Sequence, residues 1–173
     1  MATHTMNDDA HQKLVVGDED DAVLLGGAGA HDTIISGNGA RNELVAGAGA
    51  HQYLQVGNGV GDTLQAGDGA WDTLVGGSGG DVFIAGAGAH QLFQGGSGND
   101  LFRLGADIGT HDTVSGGGGD DTLSFDGHDS THVDITRNSA GHVTDIHFTD
   151  TSQTVHVDGI EHIIFSDGHS VGG

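Results

Sequence analysis

The chain has 173 residues, 34 of them Gly and none Pro or Cys, and 25 acidic against 4 basic residues leave a formal charge of −21. With only 35% hydrophobic and 5% aromatic residues, the thick core of a helix bundle or a doubly wound α/β fold could not be filled. The acidity argues against nucleic acid and anionic membranes as partners, the missing thiols exclude disulfides and thiolate zinc sites, and cations remain the natural partners.

Met1 to Val16 lacks a basic segment followed by an apolar one, so no cleaved secretory leader is expected. Nor is any apolar stretch long enough to span a bilayer. Residues 1–12 read as a flexible acidic tail, 13–125 as a Gly-rich repeat and 126–173 as a C-terminal cap. Val16 to Leu25 opens the repeat as a degenerate unit whose turn holds Asp18, Glu19, Asp20 and Asp21. From Gly27 the chain aligns in tens. One apolar residue returns per unit at Ile34, Leu44, Leu54, Leu64, Leu74, Phe83, Phe93, Phe102, Val114 and Leu123.

Each unit is a Gly-rich turn followed by a short strand whose middle side chain points inward. One unit cannot bury that residue alone. The units must therefore coil and stack into an all-β solenoid of roughly ten-residue half-coils, with two short parallel sheets facing each other across a thin core. Beyond Phe125 the pattern alternates. His132 to Arg137 and His142 to Phe148, joined by Asn138-Ser-Ala-Gly141, predict a hairpin, and strands near 154–157 and 160–165 complete a cap over the last coil.

Three adjacent units, Gly76-Gly-Ser-Gly-Gly-Asp-Val-Phe-Ile84, Gly95-Gly-Ser-Gly-Asn-Asp-Leu-Phe-Arg103 and Gly116-Gly-Gly-Gly-Asp-Asp-Thr-Leu-Ser124, fit the nonapeptide GGxGxDxUx. The chain thus resembles the RTX (repeats-in-toxin) family of calcium-binding parallel β-rolls, and its tail Ile160 to Gly168 is similar to the cap of many such proteins. That resemblance implies an extracellular protein exported without a cleaved N-terminal signal, whose folding is coupled to calcium. It implies calcium at the turns of Gly76, Gly77, Gly79 and Asp81, of Gly95, Gly96, Gly98 and Asp100, and of Gly116, Gly117, Gly119 and Asp121, with Asp62 a weaker member. Calcium, a hard ion taking six to eight oxygens, suits turn carbonyls plus a carboxylate. Two ions are expected between these three turns. Asn42, Gln52 and Gln91 have lost the carboxylate and are not expected to bind.

Two half-coils make one coil, so the opposite edge carries its own column, in which His31, His51, Trp71, His90 and His111 follow one another with Asp32 and Asp112 beside the histidines. Two readings stand here: flat rings stacking on one another, or an incomplete zinc or manganese set of His31, Asp32 and His51 and of His90, His111 and Asp112. No nucleophile accompanies the His-Asp pairs, and an enzyme is not expected.

The leading expectation is a secreted calcium-binding structural or binding module, acting through self-association or a cell-surface or matrix partner. The alternatives are a small transition-metal scavenger using the histidine corner and, last, an ice-binding solenoid. For the latter, the outward row Thr33, Tyr53, Thr73, Leu92, Thr113 is too irregular.

Overall fold

The computed structural model describes residues 2–172. Along the chain run β1 (Thr3–Thr5), β2 (Lys13–Val15), β3 (Val23–Leu25), β4 (Thr33–Ile35), β5 (Glu43–Val45), β6 (Tyr53–Gln55), β7 (Thr63–Gln65), β8 (Thr73–Val75) and β9 (Val82–Ile84). There follow β10 (Leu92–Gly96), β11 (Leu101–Leu104), β12 (Asp112–Gly117), β13 (Thr122–Phe125), β14 (Val133–Arg137), β15 (Val143–Phe148), β16 (Thr154–Asp158), β17 (His162–Phe165) and β18 (Ser170–Gly172). The molecule is an all-β parallel solenoid of about six turns. Odd-numbered strands from β1 to β13 build one sheet, continued by β17 and β18, and even-numbered strands from β2 to β12 build the other, continued by β16, β15 and β14.

Register decides what is buried. Leu24, Leu44, Leu64, Phe83, Phe102, Leu123 and Ile163 lie opposite one another through the first sheet, and Ile34, Leu54, Leu74, Phe93 and Val114 do so through the second. Every member of both rows is fully buried. One inward residue per half-coil is therefore enough, because each is covered by the coils above and below it as well as by the facing sheet.

The turns are Gly-rich for a steric reason. A Cβ on Gly47 would lie 1.4 Å from the Gly27 carbonyl oxygen of the preceding coil, and neither backbone can yield without opening the coil spacing. Gly47→Ala is expected to lower the melting temperature measurably, whereas Gly118→Ala, where an added Cβ meets nothing within 4 Å, is expected to leave it unchanged. Equal melting of the two variants in a thermal scan would contradict this account of the turns.

At the N-terminal side the structure corrects the sequence reading. Residues 1–12 were expected to form a tail, yet Thr3–Thr5 pairs in parallel with Val23–Leu25, and His4 takes the inward position opposite Leu24. Asn7, Asp8 and Asp9 replace the turn glycines, and the Asp8 carboxylate accepts a hydrogen bond from the Ala28 N–H.

The hairpin of β14 and β15 forms as expected, antiparallel. β16 then returns parallel to β12 and β17 parallel to β13, so the last coil is closed by a half-coil from the far end of the chain.

Candidate cation-binding edge and histidine ladder

The two edges of the solenoid carry different chemistry. On the edge leading from the even-numbered sheet to the odd-numbered one, the residue that enters each odd strand from β5 onward is Asn42, Asp62, Asp81, Asp100 and Asp121 in turn, followed by Glu161. All of them except Glu161 are buried. Each Oδ1 accepts the backbone N–H of its counterpart one coil earlier: Asn42 N–H donates to Asp62 at 2.7 Å, Asp62 N–H to Asp81 at 3.0 Å, Asp81 N–H to Asp100 at 2.8 Å and Asp100 N–H to Asp121 at 2.8 Å. Glu161 ends the relay by accepting from Asp121 N–H at 2.8 Å.

The second oxygens of Asp62, Asp81, Asp100 and Asp121 are buried without a hydrogen-bond partner. Burial pushes the Asp81 carboxyl up to about 7 and the Asp100 carboxyl up to about 6, and neighbouring carboxylates add to both. Asp62 and Asp121 are raised as well, again chiefly by burial. A row of buried carboxylates one coil apart is thus poorly tolerated in the charged form.

Beside three of these oxygens the chain carries glycines at which no side chain would fit. A Cβ on Gly76 would meet Gly95 O at 2.2 Å and Asp81 Oδ2 at 3.1 Å. On Gly95 it would meet Asp100 Oδ2 at 2.2 Å and Gly116 O at 2.5 Å, and on Gly116 it would meet Gly159 O at 2.0 Å and Asp121 Oδ2 at 2.3 Å. Each cradle is therefore lined by one orphan carboxylate oxygen and one carbonyl of the next coil, all oxygen donors of the kind a hard cation takes. Gly77, Gly79, Gly96, Gly98, Gly117 and Gly119 play a different part, packing against carbonyls of the preceding coil.

Asp62 stands apart. Its coil carries the buried Val56 at the position that Gly76 occupies one coil later, so a side chain fills the space beside it. Among the described residues no three His, Cys, Asp or Glu side chains converge on one point. An ion on this edge would rest on one carboxylate per coil with backbone carbonyls around it.

The other edge alternates carboxylates with amides, although the second oxygens of Asp32 and Asp112 are buried there without a partner too. Its column reads Gln12, Asp32, Gln52, Asp72, Gln91, Asp112. Asp32, Asp72 and Asp112 accept the backbone N–H groups of Gln12, Gln52 and Gln91 at 2.8, 2.9 and 2.8 Å. The intervening amides brace the carbonyls: Gln52 Nε2 donates to Gly29 O at 2.6 Å and to Gly49 O at 3.1 Å, and Gln91 Nε2 donates to Gly67 O at 2.9 Å. Burial alone raises Asp72 to about 6 and Asp112 to about 7, since no carboxylate occupies the same slot one coil away.

One residue before each member of this column sits the ladder of rings. His11, His31, His51, Trp71, His90 and His111 all hold φ between 61° and 70°, a left-handed corner that turns the side chain outward while the next residue turns in. Ring centroids follow at 4.8, 4.7, 6.3, 4.1 and 5.3 Å with interplanar angles of at most 18°. His111 then meets the more tilted ring of His156 at 6.4 Å and 39°.

This arrangement corrects the expectation that His31, Asp32 and His51, or His90, His111 and Asp112, form one ligand set. The rings point to solvent, whereas Asp32 and Asp112 are fully buried on the inner side. The sequence reading also missed His11 and His156 as ladder members and Gln12 and Glu161 as column members. The spacing from His11-Gln12 to His31-Asp32 carried the first signal, but Glu161 lies 40 residues from Asp121, beyond the reach of any repeat.

A scan against protein-family models found no match, and searches of curated proteins and of solved structures found none either.

Proposed function

We propose that the protein is a secreted, calcium-loaded β-roll of the RTX kind, a structural or binding module whose C-terminal coils are completed by the ion. The observation that carries this reading is the row of orphan oxygens of Asp81, Asp100 and Asp121, each next to a glycine that carries no side chain and a carbonyl of the next coil, so that two oxygens converge there. A divalent ion there supplies the positive charge that the buried carboxylates lack and ties successive coils together. Extracellular calcium sites span roughly 10⁻⁴ to 10⁻³ M, a range that suits a chain ordering outside the cell.

Three cradles give three candidate positions, one more than the three turns alone suggested, because Gly159 of the cap faces Asp121. Calorimetric titration of chelator-treated protein is expected to show calcium uptake that falls in Asp100→Asn and is unchanged in Asp32→Asn. The asparagine keeps an oxygen for the Asp81 N–H, so a loss of uptake reports the missing charge. No uptake at millimolar calcium, or the same uptake by Asp100→Asn, would sink the reading.

A further inference from the structure

The ladder of rings has a symmetry that a single chain does not use. Counting outward from Trp71, three imidazoles stand on either side: His51, His31 and His11 one way, His90, His111 and His156 the other. The ring-to-ring steps run 6.3, 4.7 and 4.8 Å in the first direction and 4.1, 5.3 and 6.4 Å in the second, so the two arms have matching reach. Trp71, the chain's single tryptophan, is 52% exposed at the centre.

The ring nitrogens are free for a ligand. Ring hydrogen bonds among the described residues belong to His132, His147, His156 and His162. His156 gives its Nδ1 to Asp145 at 2.5 Å, which orients the ring and leaves Nε2 outward. Within one chain, however, neighbouring rings cannot share a metal ion. An imidazole binds along an in-plane lone pair at about 2.0–2.1 Å, and in rings stacked in parallel at 4.7 Å these directions run side by side and never converge. The second imidazole has to arrive from outside.

We infer that divalent transition-metal ions join two copies of this chain into an antiparallel dimer across the histidine ladder, with the two-fold axis at Trp71. A rotation about that axis sets His51 opposite the partner's His90, His31 opposite the partner's His111 and His11 opposite the partner's His156, so every imidazole on the ladder meets one from the other copy. An isologous contact requires such a self-complementary pattern. Trp71 lies where an aromatic anchor contributes most, at the centre. Two imidazoles per ion make each bridge weak, but bridges on one rigid strip act together, and the ions offset the repulsion between two chains of charge −21.

The test uses zinc and analytical ultracentrifugation of the full chain at fixed calcium. Zinc is expected to double the mass, and a chelator to reverse it. Two triple variants then read the direction of pairing: His11→Asn, His31→Asn, His51→Asn and, separately, His90→Asn, His111→Asn, His156→Asn, asparagine being chosen because it tolerates the left-handed corner. Neither variant has a complete pair with itself, so neither is expected to dimerise with zinc. Mixed in equal amounts they restore three pairs, and a heterodimer is expected. Dimerisation of either variant alone, or a mixture that stays monomeric, overturns the antiparallel ladder. Trp71 emission in the unaltered protein provides a readout that needs no variant to fold: a zinc-induced shift that grows with protein concentration is expected, and its absence, or zinc bound by a chain that stays monomeric, overturns the inference as well.

Discussion

Stripped of divalent ions at about pH 8, the protein is expected to lose most of its β-sheet circular dichroism, and acidification to about pH 5 is expected to bring much of it back. The cause is the set of raised carboxyls. Asp81 and Asp112 titrate near 7 and Asp72 and Asp100 near 6 in the folded chain, from a starting value of 3.8. Between about pH 4 and pH 7 the folded chain therefore holds more protons than the unfolded one. Its metal-free stability is fullest at the acid end and falls as pH rises through 6 to 7. Each such group costs the ionised fold on the order of 3 kcal/mol at neutral pH, enough in sum to undo a marginally stable domain. On the calcium reading, the ion would bind the ionised Asp81 and Asp100 and reverse the slope for them, and its apparent affinity is expected to rise over the same pH window. A metal-free protein that keeps the same β signal from pH 5 to pH 8 would show that the carboxylate row is not under strain.

Phe102→Ala is expected to be the most damaging single truncation in the core. Phe102 is fully buried, stacks on Phe83 at 4.7 Å and 17° and lies opposite Leu123 in the next coil. Removing an aromatic ring from such a place costs about 3–5 kcal/mol. At roughly 2–4 °C per kcal/mol for a chain of this length, the melting temperature should drop by about 10 °C. Because a solenoid is stabilised by nearest-neighbour contacts, the damage should also divide it. Hydrogen exchange is expected to accelerate from β11 to β13 before it does so in β3 to β6. A uniform change along the chain, or a shift under about 3 °C, would count against a core built coil by coil.

Much of this was legible before any coordinates. The apolar residue returning from Ile34 to Leu123 fixed the coil, and the His31, His51, Trp71, His90, His111 series fixed the ladder, because both follow from period alone. What escaped was whatever broke the glycine pattern or arrived from a distance. The first coil hid behind Asn7-Asp8-Asp9, where polar side chains do the work of turn glycines. Glu161 joined the aspartate row only after the cap had folded back. Val56 was visible as an apolar residue, but that its side chain stands where the next coil has Gly76 depends on register, which a list of repeats does not contain.

Val56 has one more consequence. It fills with a methyl-bearing side chain the position that Gly76 leaves bare one coil later, so the early coils depend less on an ion on that edge than the later ones. If calcium binds as proposed, growth of the structure would have a direction: the front end would serve as the template on which the later turns are laid down, each locked by its own ion.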